Sequence, residues 1–284
     1  MSRTNTVDTS ALAGESPVGT PRLGLHYLRT TMADRSAIEW TDATWNPVVG
    51  CTKVSPGCAH CYAERLVRRF VAAFPRGFRV TLRADALPLP LRWRRPRMVF
   101  VNSMSDLFHP EVPDTYIAEV FGVMAACPQH TFQVLTKRAD RLERLAQRLP
   151  WPENIWAGVS VESNWYLSRV DALRRVPAAV RFVSAEPLLG SLASLELEGI
   201  DWVIAGGESQ PQARPALLDW FRDLRDCCGR SGVPFFLKQL GGHPDKRGET
   251  KAVLDGRLWR QMPNSPEEVT LPVWPDRADL QPVV

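Results

Sequence analysis

Short apolar runs and amphipathic stretches alternate along most of the chain. Arg97–Val101, Thr131–Leu135, Ile155–Val159, Arg181–Val183, Ile200–Ala205 and Pro234–Leu237 are compact and mostly apolar, as strands covered on both faces of a parallel sheet are. Between and after them, Asp114–Cys127, Ala139–Leu149, Asn164–Val176 and Pro215–Gly229 repeat apolar positions at helical spacing. The first of these helices turns Ile117, Val120, Phe121 and Met124 inward, and the second Leu142, Leu145 and Leu149. Upstream, Ile-Glu-Trp-Thr-Asp-Ala-Thr-Trp-Asn-Pro-Val-Val-Gly-Cys from Ile38 reads as an irregular strand, and Ala63–Phe74 as a helix with Leu66, Val67, Phe70, Val71 and Phe74 on one face. This alternation predicts an α/β fold of mainly parallel strands. Seven strand candidates within about 200 residues predict a partial or full (β/α) barrel rather than a short open sheet.

The flanks lack this order. Residues 1–33 are rich in Ser, Thr, Gly and Pro without periodicity, which predicts a disordered N-terminal tail and marks Met32 as a candidate translation start. The barrel is expected over residues 34–242. Residues 243–284 combine Pro, Trp and charge with little periodicity and read as a capping extension.

The net charge of +4 says little as a total, but its distribution is uneven. Between Arg65 and Arg97 lie ten arginines, no lysine and one acid, Asp85, so this segment carries +9 and the remainder −5. A concentration of this kind predicts a face for a polyanion such as nucleic acid. The six cysteines do not read as a disulfide framework in a chain of 284 residues without an apolar leader. No apolar run approaches the roughly 20 residues that span a bilayer, so a cytoplasmic protein without membrane contact is expected.

The polar residues at the end of each apolar run carry the chemistry, because ligands in parallel α/β folds bind beyond the carboxyl ends of the strands. Asn102-Ser-Met-Ser-Asp106 follows one run, Thr136-Lys-Arg138 the next and Ser160-Val-Glu-Ser163 the next. Ser184-Ala-Glu-Pro187, Gly206-Gly-Glu-Ser209 and Lys238-Gln239 complete the series. Exposed loops are polar in any protein, but such loops do not require Glu or Lys at one strand end after another.

After the first strand comes Gly-Cys51-Thr-Lys-Val-Ser-Pro-Gly-Cys58-Ala-His60-Cys61-Tyr, with three thiols spaced C-x6-C-x2-C. Such a loop is a candidate metal site. A structural zinc site needs four closed ligands, and His60 between two cysteines is awkwardly placed to be the fourth. A cubane iron–sulfur cluster accommodates three protein thiolates and leaves one iron open. Cys127 ends an apolar helix face and reads as core, and Cys227-Cys228 diverge by about 100° on a helix, so neither extends the site.

These features resemble the radical S-adenosylmethionine (SAM) superfamily: a three-cysteine loop after the first strand, an aromatic residue before the last cysteine, and polar strand ends around a barrel. More closely, Ile38-Glu-Trp-Thr-Asp-Ala-Thr-Trp-Asn-Pro, Phe100-Val-Asn-Ser-Met-Ser-Asp-Leu-Phe, Leu135-Thr-Lys-Arg, Gly158-Val-Ser-Val-Glu, Ser184-Ala-Glu-Pro-Leu and Ala205-Gly-Gly-Glu-Ser resemble the phage Gp37/Gp68 family (DUF5131) over about residues 36–262. The resemblance implies that Cys51, Cys58 and Cys61 ligate a [4Fe-4S] cluster whose open iron chelates SAM. It implies that Ser103, Ser105 and Asp106 stand where the superfamily's Gly-Gly-Glu binds the methionyl amine, and that Ser160 and Glu162 meet the carboxylate or ribose. Lys137 is then a cation for the carboxylate, and Glu186, Glu208 and Lys238 serve substrate or proton traffic. An electron donor of the flavodoxin or ferredoxin type is the implied partner, and a radical SAM enzyme with an unknown substrate the implied function; the Arg65–Arg97 segment points to a nucleic acid or nucleotide as that substrate. Two positions depart from the superfamily: six residues instead of three separate the first two cysteines, and Ser-Met-Ser-Asp replaces Gly-Gly-Glu. The alternative is a zinc- or iron–sulfur-stabilised nucleic-acid-binding or partner-dependent module without SAM turnover.

Overall fold

An apolar run between amphipathic helices has to be covered on both faces, and the strands of this protein are. The computed structural model describes residues 36, 38–209, 212–242 and 252–263, together with the backbone of Met32 and Ala33. Within it all six residues of Ile155–Ser160 and all five of Trp202–Gly206 are buried.

The strands in chain order are β1 (Met32–Ala33), β2 (Ala43–Trp45), β3 (Val48–Val49), β4 (Thr81–Leu82), β5 (Met98–Val101), β6 (Thr131–Thr136), β7 (Ile155–Ser160), β8 (Arg181–Ala185), β9 (Trp202–Gly206), β10 (Phe235–Gln239), β11 (Val253–Leu254) and β12 (Arg257–Leu258). Seven of them run parallel in the order β2-β5-β6-β7-β8-β9-β10. The order does not close among the described residues, so the sheet is a half-barrel, the partial form of the predicted barrel. β1 adds antiparallel to the outer edge of β2. The expected N-terminal tail otherwise lies outside the described residues.

Side chains alternate between the two faces of each strand. Val99, Val101, Val134, Ala157, Val159, Val183, Val203 and Ala205 join the main core with α2 (Asp114–Ala125), α3 (Ala139–Ala146), α4 (Ser168–Arg174) and α5 (Leu218–Ser231). The intervening positions Phe100, Trp156, Phe182, Trp202, Ile204 and Phe236 form a second, aromatic cluster. Trp40 enters it from the segment before β2, with its ring centroid 4.8 Å from Phe100 and 6.1 Å from Trp202, both edge-on. Several members sit at the first or second position of their strands, so this cluster fills the amino end of the half-barrel. The carboxyl end is left to polar groups.

Three predicted helices are shorter than their apolar periodicity. α1 covers Tyr62–Arg69 and stops at Phe70, whose φ of −117° and ψ of 53° are not helical. A 3₁₀ turn over Val71–Ala73 follows. Of the face expected to turn inward only Val67 is buried, and Val71 is exposed, because no second layer among the described residues covers this stretch. The segment predicted over 139–149 ends at Ala146, and that over 164–176 divides into a 3₁₀ turn at Asn164–Tyr166 and α4.

The described part of the C-terminal extension is a hairpin, β11 and β12, turned by Asp255 and Gly256, both at positive φ. Asp-Gly is the pair such a two-residue turn favours. The chain then runs beside β10, where Leu237 N donates to Trp259 O and Gln261 N to Phe235 O. Asp255 anchors the hairpin to α5 through Arg222 and Arg225, at 2.7 and 2.5 Å. Arg222, against the effect of burial and with help from Arg225, holds the Asp255 carboxyl below its ordinary value of 3.8. A depressed carboxyl stabilises above its unfolded pKa and ceases to as pH falls through its folded one. Amides of residues 252–263 are therefore expected to gain exchange relative to β7 amides below about pH 3.8. Asp255→Asn, which keeps the turn and removes the charge, should show that loss already at pH 7, a comparison hydrogen-exchange mass spectrometry makes directly.

Among the described residues no helix is long and apolar enough to cross a membrane.

Candidate functional site

The cysteine loop begins where β3 ends, and its first residue has to be glycine. Gly50 adopts φ +89°, and a Cβ there would lie 2.2 Å from the Arg79 carbonyl oxygen. Gly50 N donates to Met104 O at 3.0 Å and Cys51 N to Phe78 O at 3.3 Å. Pro56–Cys58 form a 3₁₀ turn, and Cys61 caps α1. The Ser105 hydroxyl donates to Val48 O at 2.8 Å, and the Tyr62 hydroxyl to Ser103 O. The segment after β5 and residues 78–79 thus fix the loop from two sides.

The strand ends grip the rest of it. At the end of β6, Arg138 Nη2 donates to Thr52 O and Thr52 Oγ1, both at 3.0 Å, and lies 3.9 Å from Cys51 Sγ. At the end of β7, Glu162 is fully buried. It accepts from the Ser55 hydroxyl at 2.5 Å and pairs with Arg169 at 2.8 Å, with Lys137 Nζ 3.8 Å away. A Cβ on Gly57 would lie 2.3 Å from Glu162 Oε1, so glycine lets the loop backbone close onto this carboxylate. At the end of β9, Glu208 meets His60 Nδ1 at 3.0 Å and accepts from Arg214 N at 2.9 Å and from the Arg214 guanidinium. Arg214 Nη2 also donates to Pro56 O at 2.9 Å. Ends of β6, β7 and β9 therefore hold Thr52, Ser55 and His60 in turn.

The electrostatics follow from this packing. Burial, assisted by the nearby Asp106 carboxylate, pushes the Cys51 thiol up to about 11, with Arg138 acting in the opposite sense. Burial also raises Cys61, partly offset by the Glu64 and Ala63 amides at the start of α1. Burial alone would raise Glu208, but Arg214 and His60 outweigh it and hold the carboxyl below its ordinary range. Burial, then Arg138, lowers His109. Since His109 Nδ1 accepts from Glu111 N at 3.1 Å, the neutral ring carries its proton on Nε2 and donates to Thr52 Oγ1 at 2.8 Å.

The other candidate residues fall at the same mouth with different partners. Asp106 accepts from Phe108 N and Thr136 Oγ1 at 3.0 and 2.7 Å and from Lys137 N at 3.1 Å, which ties the end of β5 to that of β6. The Ser103 hydroxyl donates to Asn46 Oδ1 at 3.2 Å, and Ser160 O accepts from Arg169 at 2.7 Å. Glu186 and Lys238 form an ion pair of 2.9 Å between the ends of β8 and β10. Lys137 Nζ donates to Glu186 O at 3.4 Å. The arginines between 65 and 97, by contrast, do not form one face. Arg76 and Arg79 line a cleft of about 560 Å³ with Cys51, Thr52 and Phe78. Arg97 stacks on Trp93 at 5.0 Å just before β5, at the opposite end of the sheet, and Arg83 is paired with Asp85 at 2.7 Å. A charge run in sequence is divided here by the strand it leads into.

A model of the family described as "Protein of unknown function (DUF5131)" matches residues 35–263. The chain belongs to this family. No curated protein matches the chain. A solved structure of spore photoproduct lyase complexed with dinucleoside spore photoproduct superposes with a TM-score of 0.45 at 14% identity, covering 70% of this chain. The chain spans 64% of the length of that protein.

The donor set suits a multi-iron cluster held by three thiols. Cys51, Cys58 and Cys61 are free and half-buried, and Cys58 lies close enough to each of the other two for its charge to act on them. Among the described residues no group of three or more His, Cys, Asp or Glu, the loop thiols included, is arranged to hold a metal ion. Around the loop, Asn102 Nδ2 and Gln239 Oε1 are buried and make no hydrogen bond among the described residues, whereas the buried Arg138 Nε lies 3.8 Å from an Asp106 carboxylate oxygen. Asn102 is held at φ +61° at the end of β5. Buried polar atoms in this state call for a ligand or water.

Arg138, Arg169, Arg214 and His109 complete the site, and only Arg138 stands in a strand-end group that the sequence singles out. Arg214 lies six residues beyond Glu208 and His109 three beyond Asp106, in loops whose course the apolar pattern does not fix.

Proposed function

We propose that the mouth of the half-barrel is the active site of a radical SAM-type enzyme. In this reading Cys51, Cys58 and Cys61 hold a [4Fe-4S] cluster and SAM lies against the strand ends. The observation that carries it is the seating of a three-thiol loop on the carboxyl ends of a parallel half-barrel, where Arg138, Glu162 and Glu208 fix it from three strands. When bound, such a cluster and SAM together supply one-electron cleavage to methionine and a 5′-deoxyadenosyl radical, which takes hydrogen from a substrate.

The residues of the chain then bind, orient and exclude water. Lys137 brings a compact ammonium to the mouth between Glu162 and the Glu186 carbonyl, suited to a carboxylate. Asn102 offers a buried amide donor and Gln239 a buried acceptor for the polar edges of a bound cofactor. The Glu186–Lys238 pair places an acid and a base at the far side of the mouth, available to a substrate proton. Arg138 lies beside Cys51 and favours its thiolate, the form that binds iron. Side chains of Lys53 and Tyr62 leave one flank of the loop exposed, the flank open to an electron donor of the flavodoxin or ferredoxin type.

Anaerobic reconstitution with iron and sulfide tests the cluster. The expected product is brown, with about four irons and four sulfides per chain and visible absorption that dithionite bleaches. A colourless protein holding one zinc would reject the reading.

A further inference from the structure

A second cleft, of about 600 Å³, opens on the other side of the cysteine loop, between the ends of β6 and β7. Five of its lining side chains are cationic and two, Asp114 and Asp140, are acidic. Part of that charge is engaged internally: Arg138 with Thr52, Arg169 with Glu162, and Arg141 with the His109 and Val112 carbonyls and Asp114. Arg144 is different, being exposed and opening onto the cleft. Arg141, Arg144 and Arg148 lie three and four residues apart along α3 and the turn after it, on one side of the helix. All three act on the same carboxylate, Asp114. A cationic track therefore leaves the mouth along this helix.

Three residues before Ser168, on the β7 side of the same cleft, comes Trp165. It is 91% exposed, on the 3₁₀ turn Asn164–Tyr166 just past the end of β7. Ser168 and Arg169, which line the cleft, come three and four residues later, so the indole's Cα lies within about 11 Å of Ser168. Its neighbour Tyr166 already stacks under the Arg169 guanidinium at 4.3 Å. A single exposed apolar side chain is ordinary by itself. An exposed ring and a run of cations around one cleft is the combination that holds single strands, cations following the phosphates and rings taking the bases.

We propose that this side of the mouth binds a single-stranded nucleic acid, its phosphates on Arg144 and Arg148 and a base stacked on Trp165. The inference rests on the mouth being the reaction site, and it names the class of substrate that reaches it. It also moves the polyanion face from the Arg65–Arg97 segment to α3.

The test is fluorescence anisotropy of labelled single-stranded DNA and RNA oligonucleotides, in separate arms, with the full reconstituted chain at several salt concentrations. Binding should weaken with salt. Trp165→Ala should weaken it by about 5- to 150-fold. Arg144→Ala should weaken it several-fold and reduce the logarithmic salt slope by about 0.7. Arg94→Ala with Arg95→Ala, just before β5 at the opposite end of the sheet, should leave it unchanged. Absent or salt-independent binding, wild-type affinity in Trp165→Ala, or equal losses in the Arg94/Arg95 variant would overturn the proposal, as would equal competition by duplex. Formation of 5′-deoxyadenosine is followed on the same proteins. Binding that depends on Trp165 in a chain that forms none would reject the chemistry and leave the nucleic-acid site standing.

Discussion

Replacing Cys51, Cys58 and Cys61 together by alanine is expected to remove all reconstituted iron and sulfide while leaving the fold intact. The remaining thiols cannot substitute for them. Cys127 is fully buried in the main core, and Cys227 and Cys228 lie on α5. The structural cost of the change is small, because the three loop thiols are half-buried and the loop is held by Gly50 N, Thr52, Ser55 and His60. Iron and sulfide analysis with far-ultraviolet circular dichroism checks both halves. Retained iron with an unchanged spectrum would place the cluster elsewhere.

Glu162→Ala is expected to be the most destabilising single change at the site. The carboxylate is fully buried and takes bonds from Ser55 and Arg169, with Lys137 close by. Its removal leaves the buried Arg169 guanidinium with the Ser160 carbonyl and the Tyr166 ring as partners. Breaking a buried pair from one side typically costs about 3–5 kcal/mol. The loss should appear as a lower midpoint in urea unfolding. The loop, released at Ser55, should also lose its cluster faster in air than the wild type does. Glu162→Gln, which keeps an acceptor for Ser55, should recover part of the cluster lifetime but less of the stability. A change of under 1 kcal/mol for Glu162→Ala would mean that the Arg169 pair contributes little and that the loop is held by its other contacts.

The parallel strands were legible because each is a short apolar run with no room for a second period, as Ile155-Trp-Ala-Gly-Val shows. The polar residues at their ends were legible for the same reason: the end of a buried strand is a fixed place in space. Glu162, Glu208 and Lys137 could thus be brought to one mouth without knowing how the loops run. Helix ends were less legible. Leu66, Phe70 and Phe74 keep helical spacing past Arg69, and nothing in the sequence marks the break at Phe70. The partners of the strand-end groups were not legible either. The Ser105 hydroxyl donates to Val48 O, and Asp106 accepts from Thr136 and Lys137 N, contacts between neighbouring strand ends that no apolar period encodes. Arg214 and His109 reach the loop from segments without periodicity, where sequence separation does not predict distance. Arg76 and Arg97 belong to one charge run and lie at opposite ends of the sheet because β5 begins directly after the run.

If the mouth works as proposed, SAM is cleaved at a cluster held by Cys51, Cys58 and Cys61. The most direct measurement is chromatographic detection of 5′-deoxyadenosine after anaerobic incubation of the reconstituted chain with SAM and dithionite. The expected product requires reductant and disappears in the Cys51/Cys58/Cys61 triple alanine variant. A reconstituted wild-type chain that carries its full iron and sulfide and forms none would contradict the proposed cleavage.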